Sequence, residues 1–285
     1  MERLLPLTDL IRTLNIPNAT FPQSYARNGL DQPFVAADGR VFLHYANIRL
    51  ESQFLPIVET RTGQAHGHSA SIQAFGLSNN QPLAPEAVFV LPTDDAEFVY
   101  LDRLVRTLHA LNYLTNPIRG NLLLKVHPRH VQSVPADHGL AFEEILRPCG
   151  LIPEQITLEI DTDRIEDIEH LIRAVASYRS RGYCIAVSHF GRSQLDFALL
   201  RALRPDIVKL DRQLLSSTHP LEHIIANLHE LSARVMIEGI DTSAMRKGAV
   251  ASHIDLLQAH APLRRLLHVP SSPVAERWNA VKNAA

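Results

Sequence analysis

The feature that most limits what this chain can fold into is a series of short apolar runs separated by helix-like stretches. NLLLKV (121–126), ITLEID (156–161), CIAVSHFG (184–191), PDIVKLD (205–211) and ARVMIEGI (233–240) are near-continuous apolar runs. That is the pattern of strands buried on both faces of a parallel sheet. Between them lie IEDIEHLIRAVASYRSRG, QLDFALLRAL and PLEHIIANLHELSA, which read as helices, the first stopped by Gly182, a common C-terminal cap. Upstream, AEFVYLDRLVRTLHALNYL (96–114) is a longer helical pattern, with Phe98, Leu101, Leu104, Val105, Leu108 and Leu111 on one stripe. VFLHYANIRL and SQFLPIVET read as strands, followed by a turn at Thr62-Gly63. Strand and helix thus alternate at least four times along 285 residues. Length and alternation favour a β/α barrel over an open doubly wound sheet. The absence of a GxGxxG after the first strand also argues against dinucleotide binding.

Composition sets outer bounds. Hydrophobic content of 46% against 20% charged residues predicts a packed core. A net charge of −2 gives no electrostatic case for a nucleic-acid polymer or an anionic membrane as partner. Cys149 and Cys184 form no CxxC and read as reduced thiols. No apolar run reaches the ~18 residues of a membrane helix. MERLLPLTDLIRTLNI is broken by Pro6, Asp9 and Arg12 and reads as a short amphipathic segment rather than a signal peptide. The expectation is a soluble, cytoplasmic protein. Residues 1–40, with Pro17, Pro22, Asn28-Gly29 and Asp38-Gly39, read as an N-terminal extension, and 41–285 as the barrel domain. Ser272-Pro273 opens a final helical pattern with Val274, Trp278 and Val281 on one face, read as docking onto the domain.

The order of the pieces resembles the EAL family, cyclic di-GMP phosphodiesterases built on a modified TIM barrel. The resemblance runs from about Phe54 to Pro262. It is carried by FLPIVETRTGQAHGHSA, LLLKVHPRH, ITLEID, GYCIAVSHFGRSQLDFALLRALRPDIVKLD, VMIEGIDT and IDLLQAHAP, in this order and at similar spacing. It implies a hydrolysis run by two divalent metals, with oxygen ligands at the C-terminal ends of the strands. Position by position, those ligands are depleted. The signature Glu falls at Ser69, the Leu of that signature at Ser71, and the phosphate-holding arginine at Gln73. The glutamine before the proline falls at Leu55, the metal-binding asparagine at Lys125, and the paired aspartates at Ser188 and His189. The following Thr-Gly falls at Arg192-Ser193. Glu159, Lys209, Asp211, Glu238 and Gln258 match, although the glycine after the last is Ala259.

This pattern implies a catalytically inactive EAL-like barrel, a pseudo-phosphodiesterase without metal or other cofactor. It would act in bacterial signalling through an unidentified protein partner, with homodimerisation through helical faces expected from the family. The alternative is a cyclic di-GMP receptor that binds without hydrolysis. Lys125 and Arg192 are the candidate ligand-binding cations for it, and Gln73 and Leu55 count against it. Three local expectations follow. Lys125 is expected to replace the metal by pairing with Glu159, because buried charge needs a partner. Lys209 is expected to pair with Asp211 or Glu159. Arg192 is expected either to bind an anion or to fill the emptied pocket by pairing with a carboxylate. Two further chemistries carry less weight: a single-metal site from His127, His189 and Glu159, and a Ser188–His189 nucleophile and base. The second suffers because neighbours in a strand point to opposite faces.

Overall fold

The structure, a computed structural model, describes residues 7–15, 33–115, 118, 120–216, 220–240 and 242–258. Most of the turn formers read in the N-terminal extension, and the helical pattern around Trp278, lie outside the described residues. The chain runs α1 (Leu7–Leu14), β1 (Phe34–Ala37), β2 (Arg40–Tyr45), β3 (Ile48–Glu59), β4 (Ala65–Gly76), β5 (Pro82–Leu83), α2 (Asp95–Thr115), β6 (Asn121–Val126), α3 (Pro128–Ser133) and α4 (Leu140–Leu146). It continues with β7 (Ile156–Asp161), α5 (Ile168–Ser180), β8 (Cys184–Phe190), α6 (Phe197–Leu203), β9 (Ile207–Leu210), α7 (Leu221–Glu230), β10 (Arg234–Glu238), α8 (Ser243–Ala251) and β11 (Leu256–Gln258). No helix among the described residues is long and apolar enough to cross a membrane.

The expected barrel is present. Strands β4 and β6 to β11 run parallel, and β3 closes the ring by pairing antiparallel with β4 on one side and β11 on the other. The lumen is filled by Ile57, Leu123, Ala186, Ile207, Met236 and Leu256, so the barrel is a packed core and not a pore. A larger apolar layer lies outside the strands under the helices.

Two features depart from the sequence expectation. VFLHYANIRL is not one strand but two, since the chain reverses at Ala46-Asn47, with Ala46 at φ 49°. Ala65–Gly76, rich in Gly, Ser and His and without an apolar run, forms a long strand all the same, paired with β3 over nearly its whole length. The upper halves of β3 and β4 therefore rise past the barrel rim and carry β2, β1 and β5 as an antiparallel extension. Asparagines fasten it. The Asn15 amide exchanges two hydrogen bonds with the Phe34 backbone, at 2.9 and 3.0 Å. The Asn112 amide does the same with Val41, at 2.8 and 3.1 Å.

Helix α2 is buried on more than an apolar stripe. Asp102, Arg106, His109 and Asn112 are all at most 4% exposed. Their polar atoms are satisfied locally: Arg106 meets Asp102 at 2.9 Å, His130 Nδ1 meets the same carboxylate at 3.0 Å, and Ser52 Oγ lies 2.8 Å from His109 Nδ1. Such groups are tolerated inside only when paired.

Close approach makes one glycine obligatory. Gly67 in β4 faces Asn121 in β6 so tightly that a Cβ would overlap the Asn121 backbone carbonyl. Backbone in a barrel cannot yield as a side chain does. Gly67→Ala is therefore expected to cost about 1–3 kcal/mol, read from the midpoint of urea unfolding. An unchanged midpoint would show that β4 and β6 can separate there.

Candidate functional site

Alternation along each strand places one residue per strand at the barrel mouth, above the lumen layer. Lys125, Ser188, Lys209, Glu238 and Gln258 each follow a lumen-facing residue of their strand by two positions, on β6, β8, β9, β10 and β11, while Ser69 on β4 and Glu159 on β7 stand in register with Leu123 and Lys125 of β6. The mouth is the C-terminal end of the parallel strands, where barrels carry their sites.

Lys209 is the centre of this layer. Its side chain is 2% exposed, and its ammonium lies 2.6 Å from Glu238 and 3.3 Å from Glu159, whose side chain is itself 2% exposed. Burial opposes a charged lysine, but the two carboxylates outweigh it and hold the Lys209 pKa above its ordinary value. Burial likewise opposes an ionised Glu238. The Lys209 ammonium, with Lys125 and His189 behind it, wins and holds Glu238 below the usual range.

The expected pairing of Lys125 with Glu159 does not form. The two residues are direct neighbours across β6 and β7. Yet Lys125 is exposed, and among the described residues no carboxylate lies within 4.0 Å of its ammonium. Its long stem reaches solvent at the open rim, and Lys209 already occupies the space between the acids. Lys209 pairs with Glu159, one of its two expected partners, and not with Asp211; its other partner is Glu238.

A second group sits above the first. β8 is irregular after Val187, and His189 takes a left-handed φ of 57°. The half-buried imidazole lies between two acids, 4.0 Å from Asp161 and 3.8 Å from Asp211. Arg192 reaches the same two carboxylates, at 3.5 and 3.3 Å. Burial, then the Arg192 guanidinium, lowers the His189 pKa. Ser188 is buried at 3% and pairs in register with Asp161. The sequence reading omits Asp161, although it stands two residues after Glu159 and so on the same face.

His127 stands apart from this group. It caps α3 by accepting from the Arg129 N–H, and its ring stacks on Phe89 at 5.6 Å and packs at a tilt against Phe98 at 4.6 Å. It does not join His189 and Glu159 in a metal set. Among the described residues no three His, Cys, Asp or Glu side chains are arranged to hold a metal ion. Gln73 is exposed, and Leu55 lies opposite Ser69 across β3 and β4.

Nor does the donor set fit the two-metal centre that the resemblance implies. Hydroxyls stand at Ser69 and Ser188, an ammonium at Lys125, and the surviving acids already have cations against them. Hard divalent metals need several oxygen ligands, mostly anionic. Two buried acceptors are left over at the mouth: Gln258 Oε1 and Asp161 Oδ1 have no hydrogen-bond partner among the described residues.

The family model for the EAL domain matches residues 42–258. The uncharacterized EAL-domain protein YkuI of Bacillus subtilis (strain 168) is 32% identical over 106 residues, which is 35% of this chain and 26% of YkuI. The blue light- and temperature-regulated antirepressor BluF of Escherichia coli (strain K12) is 27% identical over 172 residues, 58% of this chain and 40% of BluF. This chain therefore spans less than half the length of these curated relatives. Among solved structures, a standalone EAL protein from Vibrio cholerae O395 in its c-di-GMP-bound form superposes with a TM-score of 0.61 at 22% identity, covering 74% of this chain and 89% of that one. The FimX EAL domain of Pseudomonas aeruginosa bound to c-di-GMP gives 0.62 at 18% identity, covering 74% and 88%. Those superpositions establish the fold, and the match over 42–258 establishes the family: this chain belongs to the EAL domain family.

Proposed function

We propose that this chain is an EAL barrel that does not hydrolyse cyclic di-GMP and acts in signalling through protein contacts. One observation carries the reading. At the strand ends where the family needs metal ligands stand Ser69, Lys125, Ser188 and His189, and the acids that remain are held by Lys209 and Arg192. A mouth that satisfies its own charges offers little to a pair of metal ions or to a doubly anionic ligand. A regulatory role without turnover agrees with the relative BluF, whose name makes it an antirepressor. Homodimerisation through the helical faces belongs to the same reading and is checked by sedimentation of the purified chain.

A second reading keeps the nucleotide as a ligand without hydrolysis. It is favoured by Lys125, whose exposed ammonium has no carboxylate within reach among the described residues, and by the 35% exposure of the Arg192 side chain. Calorimetric titration of the full chain with cyclic di-GMP, with and without magnesium, followed by chromatography of the nucleotide, separates the cases. Neither heat nor product is the expected result. Binding without product would transfer the proposal to the receptor reading. Magnesium-dependent product would overturn both.

A further inference from the structure

We propose that His138 is a proton-sensitive latch: its neutral ring holds the 134–139 loop against α5, and its protonation lets that loop swing away without unfolding the barrel. This goes beyond the proposed function and does not depend on what the mouth binds.

The loop joins α3 to α4 in the layer outside the strands. His138 is 3% exposed, and neither ring nitrogen has a hydrogen-bond partner within 3.5 Å among the described residues. The ring is held by contact instead. It packs edge-on against His170 at 5.3 Å and Tyr178 at 5.5 Å, both on α5. The Tyr178 hydroxyl is buried and likewise without a partner among the described residues. Buried polar groups are seldom left so, because burial without a hydrogen bond costs stability. The backbone on either side is tied by single bonds. Ser177 Oγ donates to the His138 carbonyl at 3.1 Å, and the Tyr183 hydroxyl donates to the Gly139 carbonyl at 3.2 Å. Asp137 and Gly139 take left-handed φ, 52° and 89°. Such a conformation is easy for glycine and uncommon for other residues, so at Asp137 the closed turn is held by its surroundings.

The closed loop has no place for a second proton on the ring. Cations and imidazoles face it from three helices: Arg106 and Arg103 on α2, His130 on α3 and His170 on α5, with Arg181 just beyond α5. The acids around it are engaged. Asp102 holds Arg106 at 2.9 Å and His130 at 3.0 Å. Asp137 and Glu143 meet Arg181 at 3.6 and 3.1 Å, and Glu144 lies in the field of Arg103. An imidazolium donates from both nitrogens, and the Val134 carbonyl offers one loose acceptor. Burial, then His130 and His170, holds the His138 pKa down at about 4. In a loop swung into water the ring titrates near its ordinary ~6.5. The open loop therefore binds the proton more readily. It is favoured as the pH falls from about 6.5 towards about 4, and by about tenfold between pH 7.5 and pH 5.5. Opening uncovers the ring of Tyr178, which is fully buried while the loop is closed.

Amide hydrogen exchange of the full chain tests the latch, read at Leu140 and Glu143 and at strand amides of β7 and β8. The Leu140 and Glu143 N–H groups donate to the Asp137 and Gly139 carbonyls, at 3.1 and 2.9 Å, so their protection reports the loop. In the wild type that protection is expected to fall about tenfold from pH 7.5 to pH 5.5, after correction for intrinsic exchange rates. It should also be insensitive to dilute urea, the mark of a local opening. In His138→Phe, which keeps an aromatic ring in place but cannot titrate, the fall at Leu140 and Glu143 should vanish, while the strand amides respond to pH as in the wild type. Should His138→Phe not fold, His138→Asn, smaller and also without a titrating group, takes its place. Level protection in the wild type, an equal fall in the variant, or exchange at Leu140 and Glu143 only through the unfolding that frees β7 and β8 overturns the inference.

Discussion

Lys209→Ala is expected to lower the free energy of unfolding by about 3–5 kcal/mol, the cost of leaving a buried carboxylate without its partner. In a domain of this size that corresponds to a fall of about 10 °C in midpoint temperature. Glu159 is 2% exposed and has the Lys209 ammonium against both oxygens, at 3.3 and 3.4 Å. Without it, Glu159 must be protonated or hydrated inside the barrel. Glu238, 24% exposed, can turn to solvent and suffers less. The cost therefore belongs mainly to one carboxylate, and this makes it separable. Lys209→Met combined with Glu159→Leu removes both buried charges and should recover most of the loss, because apolar groups of similar volume often replace a buried pair at little cost. Urea unfolding of the wild type, the single variant and the double variant at neutral pH gives the comparison. A loss below about 1 kcal/mol for Lys209→Ala would mean that Glu159 has another way to hold its charge.

That pair also shows where the sequence is legible and where it stops. The apolar runs give the parallel strands directly, because strands buried on both faces have no room for polar alternation. Strand β4 escapes this rule: AHGHSASIQAFG is half-buried, polar at the mouth and glycine-bearing where it meets Asn121. At the site, the depleted positions can be read one strand at a time, but the contacts between strands cannot. Lys125 stands beside Glu159 in register, and adjacency suggests a pair. In a barrel, however, side chains from alternate strands fill one layer. Glu159 on β7 meets Lys209 on the alternate strand β9, and Lys209 also holds Glu238 on the neighbouring β10, so the space beside Glu159 is taken and Lys125 lies exposed at the rim. Asp161 was available from the two-residue period. The placement of Arg192 was not, since it depends on the irregularity after Val187 and on two left-handed residues that no apolar pattern announces. The buried polar face of α2 is concealed for a different reason. Asp102, Arg106, His109 and Asn112 look like the solvent side of an amphipathic helix until α3, α4 and the extension of β2 and β3 cover them.

Acid should act on that covered face first. Stability is expected to fall by about 5–6 kcal/mol between pH 7 and pH 5, before most carboxylates titrate. Burial lowers the pKa of His109 to about 3. Burial, with Arg106 adding to it, lowers His130 to about 4 against the opposing pull of Asp102. His138, 3% exposed, falls to about 4 for the same leading reason. His44, His66, His127 and His189 shift in the same direction. A histidine whose folded pKa lies below its unfolded value of about 6.5 binds its proton more readily in the unfolded chain. Its contribution is therefore complete above pH 6.5, is lost as the pH falls towards 4, and does not change further below the folded value. Each such group removes up to about 1.4 kcal/mol per pH unit within that window, and His109 and His130 alone account for most of the expected loss. Asp102, with Arg106 and His130 outweighing its burial, titrates only near 2 and so keeps its charge throughout. Urea unfolding at pH 7, 6 and 5 measures the slope directly. His109→Asn, which keeps a polar group facing Ser52 but cannot titrate, should reduce the proton uptake on unfolding by about one. A stability that stays level from pH 7 to pH 5 would mean that the buried imidazoles can be protonated in place, and that the cover over α2 opens without unfolding the barrel.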